Sequence, residues 1–284
     1  MRNRLTLTSA AIVVGIFLVV SYGVYASRYV LLDWWYLRNY HPSPQVAALA
    51  DQATMTATGR RLFYRANPQI VTSRATMVHY CKLTDNQVAE LGCYLSTDHI
   101  YLLQISDPAL KNEMITTAGY EMLHSAYQRM SSSQRRQMDA RMEQVAAHIT
   151  DPDILSQMQV YAKTEPGARD DELYSVLGTE YAQLPPDLEA HYAIYFSHRA
   201  KLVAYNQQFN RTFNDLHTQI VQLDASIQAT KARMQSYLAD GEISRYNNLV
   251  PGVNQQITTY NQQVGQYNQY SHEVLGTEAA PAPQ

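Results

Sequence analysis

Two runs of heptad spacing constrain this chain more than anything else in it. From Phe209 the inward positions are Phe209, Phe213, Leu216, Ile220, Leu223, Ile227, Thr230, Met234 and Tyr237, in alternating steps of four and three. A second run holds Ile243, Tyr246, Val250, Val253, Ile257, Tyr260, Val264 and Tyr267 in the same rhythm. That rhythm is a helical seam needing a partner. Ala239-Asp240-Gly241 is a turn between the runs, so the two arms are expected to pair as an antiparallel hairpin over 187–274. Unbroken from Asp187 to Leu238, the first arm would reach roughly 78 Å. Pro251-Gly252 is expected to kink or break the second arm. Asn247, Asn254, Asn261 and Asn268 recur every seven residues; they are either a polar flank that fixes register or ordinary solvated surface.

At the other end, Leu5–Ala26 is 22 residues without a charge. At about 1.5 Å per residue it would span roughly 33 Å, the thickness of a bilayer's hydrocarbon core. It is longer than the apolar part of a signal peptide, although Val24-Tyr25-Ala26 also reads as a cleavage site. The uncleaved anchor is preferred, with Trp34, Trp35 and Tyr36 at the membrane interface. Arg2, Arg4 and the amino terminus slightly outweigh Arg28 and Arg38, which puts the stub inside and the bulk outside the cytoplasm. The net charge of -3 gives no basic footprint for nucleic acid.

Between these ends the chain reads as α+β. His41-Pro42-Ser43-Pro44 is a linker. Residues 45–62 are expected to be one helix, interrupted near its end by Gly59. Ile70-Val71-Thr72 and Met77 to Cys81 read as short strands, and His99 to Ile105 as the strongest strand. Helices are expected over 110–131, 133–149, 152–163 and 170–182, the last with Asp170-Asp171-Glu172 at its positive end. The organisation expected is a stub, anchor and interface (1–36), a compact domain (37–185), the hairpin (186–275) and a disordered tail (276–284). Cys81 and Cys93, twelve apart, are the only cysteines. They are either a disulfide, if the domain lies outside the cytoplasm, or two separate thiols.

The chemistry concentrates in Tyr120-Glu121-Met122-Leu123-His124. Its helix carries an apolar stripe of Met114, Ala118, Met122, Leu123 and Ala126, and Glu121 and His124, three apart, share a side. Zinc hydrolases place H-E-x-x-H on such a helix, two His holding the metal and the Glu taking a proton from its water. Here Tyr120 stands where the first His would be.

With that segment placed, the chain resembles the gluzincin-like, membrane-anchored bacterial proteins. The resemblance rests on Phe63 to Pro68, on Leu91-Gly92-Cys93-Tyr94 with Ile100-Tyr101, on Glu121 to His124, and on Leu177 to Glu180 with Leu184-Pro185-Pro186. It implies a small, mainly helical domain with a short sheet whose edge strand, His99 to Ile105, pairs with an extended peptide. It implies zinc as the cofactor, Glu121 as general base, His124 as a ligand, and Glu172 as the third ligand, from Asp171-Glu172-Leu173-Tyr174-Ser175. Glu180 is the alternative ligand. The family also has His where Tyr174 stands.

Three readings of Tyr120 follow. It could be a metal ligand, which requires a phenol with an ordinary pKa near 10 to lose its proton. It could be buried with Glu and His in a metal-free hydrogen-bonded group. Or another histidine, among His79, His99, His148, His191 and His198, could complete a weaker site. Two functions therefore stand open: a zinc peptidase with an unusual ligand set, or an inactive relative that binds or scaffolds at the cell surface.

Overall fold

The computed structural model describes residues 12–23, 28–82, 90–164 and 167–276. The parts of the apolar run at 5–11 and 24–26, the stub before it and the tail from 277 lie outside them. The fold is a mainly helical α+β arrangement with a small mixed sheet and a long C-terminal helix pair. The helices are α1 (Ile12–Gly23), α2 (Arg28–Leu37), α3 (Pro44–Gln52), α4 (Ala57–Arg65), α5 (Arg74–Cys81), α6 (Glu113–Gln128), α7 (Ser132–Ala146), α8 (Pro152–Thr164), α9 (Arg169–Thr179), α10 (Pro186–Tyr192), α11 (Arg199–Ala239) and α12 (Ile243–Leu275). The strands are β1 (Gln69–Val71), β2 (Gly92–Leu95) and β3 (His99–Leu103).

α6 is the hub. Instead of one apolar stripe, every residue from Ile115 to Tyr127 is buried. α3, α4, α9, α11, β2 and β3 pack around it. Gly178 lets α9 come close: a Cβ there would stand 2.2 Å from Leu123 Cδ1 and 2.7 Å from the Tyr192 ring. The main core runs from Val46 and Phe63 through Met122 and Leu123 to Tyr174, Tyr192 and Leu202, so buried packing continues past residue 185.

The sheet order is β1-β3-β2, with β1 parallel and β2 antiparallel to β3. The strand expected at an edge is thus the middle one. At Tyr101 and Leu102 both of its sides are paired, with Gln69 and Ile70 on one side and Cys93 and Gly92 on the other, so the middle of this strand has no free edge. Strand order depends on distant pairings, which periodicity within one segment does not carry.

Residues 77–81 are helical, not a strand. Ser73 accepts a hydrogen bond from Thr76 N and starts α5, an N-cap signal that outranks a short apolar run of either period. The single helix expected over 45–62 is two. Thr54 takes a left-handed φ of 54°, and Met55 bridges antiparallel to Phe196. Thr56 N donates to Tyr195 O and Ser197 N to Thr54 O. The same contact breaks the first hairpin arm between α10 and α11. Gly59 sits at this crossing because a Cβ would lie 2.5 Å from Tyr195 O.

The hairpin itself forms as the spacing requires. α11 has 41 residues, about 60 Å, and turns at Gly241, whose φ is +71°. Leu216, Ile220, Ile227, Thr230, Met234 and Val253 are buried along the seam, while Ile243 is 52% exposed. Pro251 lies inside α12, which continues through it. Asn247, Asn254 and Asn261 face solvent. The polar contacts across the arms come from glutamines instead: Gln256 to Ser226 at 2.8 Å and Gln263 to Gln219 at 2.6 Å. Ile220 is only 2% exposed. Ile220→Asp is therefore expected to lower the melting temperature by about 10 °C or more, because it buries an unpaired charge and loses apolar packing. An unchanged melting curve would mean that the seam does not close at Ile220.

The returning end of α12 is stitched to the sheet. Tyr270 and Val274 share a buried cluster with Val71, Leu103 and Leu110. Glu273 accepts hydrogen bonds from the backbone N–H groups of Ser106 and Asp107. On the sheet's own side, Cys81 and Cys93 are disulfide-bonded, with Cα atoms 5.9 Å apart. The bond joins α5 to β2, and a disulfide fits an oxidising compartment outside the cytoplasm.

Among the described residues no single helix is long and apolar enough to cross a membrane. α1 and α2 pass that test together, with 56° between them. The large apolar side chains of α1 are exposed, as are Val30, Leu31, Leu32, Trp34 and Trp35 on α2. Asp33, on the opposite side of α2, is 3% exposed. Arg129 Nη1 donates to both its oxygens, at 2.7 and 3.0 Å. Arg65 and Arg61 stand 3.6 and 3.8 Å away.

Candidate functional site

α6 and α9 bring Tyr120, Glu121, His124 and Glu172 together. All four side chains are buried. The Tyr120 hydroxyl donates to Glu172 Oε2 at 2.5 Å, and the Tyr161 hydroxyl from α8 lies 3.2 Å from it. His124 Nδ1 is 2.7 Å from Asp171 Oδ1. Its Nε2 is 3.7 Å from the same Glu172 oxygen that Tyr120 holds. The Tyr120 ring meets the His124 ring edge-on at 5.2 Å, and Tyr94 from β2 stacks on its other side at 6.5 Å.

Gly92 brings β2 against this group. A Cβ there would be 2.5 Å from Thr117 Cγ2 and 2.7 Å from Glu121 Oε1. No side chain larger than hydrogen fits between strand and carboxyl without displacing one of them.

The electrostatics follow from burial. Burial pushes the Glu121 carboxyl up to about 8; His124 opposes this, and Glu172, Glu90 and Asp171 add to it. For His124 burial alone would lower the pKa, but Glu172 and the bond to Asp171 outweigh it and hold it at about 10. Tyr120 is raised well above the usual phenol value by burial, then by Tyr161 and Glu172. At neutral pH the group therefore consists of a phenol, a protonated carboxyl and an imidazolium lying between two acids.

The other expected residues make no hydrogen bond to this group among the described contacts, although Glu180 is near enough for its charge to raise the Tyr120 pKa. Glu180 follows the last turn of α9 and accepts from Gln157 Nε2 at 3.3 Å. Tyr174 is fully buried; its hydroxyl is 2.7 Å from His191 Nε2. Burial, with the Arg141 charge, lowers His191 to about 4, so it stays a neutral acceptor. None of His79, His99, His148, His191 and His198 is paired with His124 or Glu172 among the described contacts. Asp171, Tyr161 and Glu113 were not singled out from sequence. For Asp171 the signal was present, since it stands next to Glu172 in the run Asp171-Glu172-Leu173-Tyr174-Ser175, but a first-turn acid also reads as dipole compensation.

A catalytic zinc takes three protein ligands and leaves one position open. The donors here do not fit it. His124 and Glu172 are close enough to share an ion, but the third corner is a phenol whose proton is committed to Glu172. Among the described residues no three His, Cys, Asp or Glu side chains are grouped so as to hold a metal ion. No protein family, curated protein or solved structure matches this chain.

Proposed function

We propose that this chain is a membrane-anchored, extracytoplasmic relative of the gluzincin-type metallopeptidases that binds or scaffolds at the cell surface and does not cleave peptides. The observation that carries the reading is the Tyr120–Glu172 hydrogen bond. The residue in the first-ligand position and the residue in the third-ligand position satisfy each other. The α6–α9 pairing that brings His124 to Glu172, and the strand pressed on Glu121, support descent from a peptidase. The Cys81–Cys93 bond supports the compartment, and the exposed apolar sides of α1 and α2 support the bilayer as a partner.

Zinc titration of the wild type beside Tyr120→His tests this. The wild type is expected to take no tight zinc. The variant, regaining an imidazole where Glu172 is already within reach, is expected to bind zinc about 100-fold tighter or more, since even residues that only orient ligands change affinity 10–100-fold. Stoichiometric, tight zinc in the wild type would overturn the proposal and make Tyr120 a ligand. No gain in the variant would remove Glu172 from the ligand set.

A further inference from the structure

α2 is inverted relative to a helix that faces water. Tyr29, Asp33 and Tyr36, in steps of four and three, lie on the side held by the body. Arg129 binds Asp33 and covers the Tyr29 ring, and Arg65 covers the Tyr36 ring. The other side carries Val30, Leu31, Leu32, Trp34 and Trp35, exposed by 63, 51, 53, 64 and 66%. At 3.6 residues per turn these five fill one continuous arc of about 200°. A surface helix in water buries its apolar arc and exposes its charges. Here the one acid is inside and both tryptophans are outside.

The arrangement is confined to this place. Beyond α1 and α2, the exposed large apolar side chains among the described residues are spread one or two to an element or loop. Scattered side chains of that kind are ordinary, whereas a contiguous patch marks a surface that something covers.

Three observations make the occupant a lipid interface. First, only residues 24–27 separate α2 from the apolar α1, at most roughly 17 Å of chain. Second, the patch has tryptophans with a cation at each end, the composition of a membrane–water boundary. Arg28 opens the helix, and the Arg38 guanidinium just past its end stands 5.6 Å over the Trp34 ring. Third, no acid faces outward between those two arginines, since Asp33 is buried.

The depth is bounded from both sides. Ten residues of helix measure about 15 Å, half of a hydrocarbon core of about 30 Å, so α2 does not cross. Nor does it sink, because its body side holds Asp33 among Arg129, Arg65 and Arg61, and such charges are costly in hydrocarbon. The headgroup boundary accepts tryptophans on one side of a helix and an ion cluster on the other.

We propose that α2 lies flat in the headgroup boundary of a phospholipid bilayer, and that its Asp33 side holds the folded body against that surface. This rests on the anchored reading above and adds which surface meets the lipid. The body is then seated on the membrane by its α2 and α4 side and does not hang from a free tether.

Trp34 and Trp35 are the only tryptophans in the chain, so the full-length protein carries its own reporter. It is reconstituted into phosphatidylcholine–phosphatidylglycerol vesicles, floated on a density gradient, and its fluorescence quenched with aqueous iodide and with lipids brominated at different depths. The expected result is protection from iodide and a depth about 5–10 Å below the headgroup boundary. Two single-tryptophan proteins give the tilt: Trp35→Phe, and Val30→Trp combined with Trp34→Phe and Trp35→Phe. Lying flat, the reporters at positions 34 and 30 sit at the same depth to within about 2 Å; standing along the membrane normal they differ by about 6 Å. A difference near that larger value overturns the proposal. So does strong quenching by iodide in floated vesicles, which leaves the anchor standing and puts α2 in water. Protection from both iodide and brominated lipid also overturns it, because a protein then covers this side. Failure to float removes the anchored reading and this inference together.

Discussion

Between about pH 6.5 and about pH 9.5 the melting temperature of this protein is expected to fall by roughly 10 °C or more. The cause is a set of buried groups shifted in one direction. Glu180 is held at about 7, by burial first, and Glu121 at about 8. His124 is held at about 10 by Glu172 and Asp171 against its burial. Glu113 is pushed well above the usual carboxyl value by burial and then by Glu180. In the unfolded chain the carboxyls return to about 4.5 and the imidazole to about 6.5. Every one of these pKa values is higher folded than unfolded, so the folded state holds more protons. Stability is then fully present below the unfolded values and is lost as pH rises through about 7 to 10. Thermal melts across that range check it, and Glu121→Gln should flatten the slope by removing one titrating group. A melting temperature that rises or stays level with pH would show that these carboxyls are ionised and hydrated in the fold.

Asp33→Ala is expected to release α2 from the rest of the molecule. Asp33 is the one buried side chain of that helix. It sits among Arg129, Arg65 and Arg61, while Arg65 and Arg129 also cover the rings of Tyr36 and Tyr29 at 4.8 and 5.2 Å. Removing one partner of a buried ion pair typically costs about 3–5 kcal/mol. A loss near 3 kcal/mol would raise the open population of α2 more than 100-fold, and tryptic cutting after Arg38 should accelerate accordingly. The melting temperature of the core, measured in parallel, should move far less. Equal cutting rates in variant and wild type would show that α2 is held by its apolar contacts and not by the charge.

Sequence reading succeeded here where the determining forces are local and repeated. Steps of four and three predict the α11–α12 seam, and an Asp-Gly turn predicts its reversal. The helices α6 to α9 were legible from apolar spacing and breakers. Reading failed where two distant segments settle the matter between them. The break after α3 and the break before α11 are one contact, Met55 against Phe196, and neither half signals it alone. β3 is rich in β-branched and aromatic residues whether it lies inside or at an edge; its burial on both sides was the missing fact. At the candidate site Tyr120, Glu121 and His124 are legible through their spacing, and Glu172 only through the resemblance. That Asp171 binds the imidazole, and that Tyr120 binds Glu172, depends on how α9 lies across α6. Gly178 sets that approach, and no spacing rule reports it. Asp33 has no signal in the sequence either, because its arginines come from α4 and from Arg129, just past the end of α6.

The anchoring of α12 on the sheet has a consequence for synthesis. Val71 and Val274 share one cluster, yet they leave the ribosome about 200 residues apart. At about 5–20 residues per second, the first waits roughly 10–40 s for the second. Through that interval the face of β1 and β3 built from Val71 and Leu103 lacks its cover, and a strand with an open apolar face is prone to pair wrongly. This protein therefore cannot complete its fold from the front as it emerges. The cluster closes only when the last turns of α12 arrive, and a ribosome stalled before Tyr270 would release a product with that face still bare.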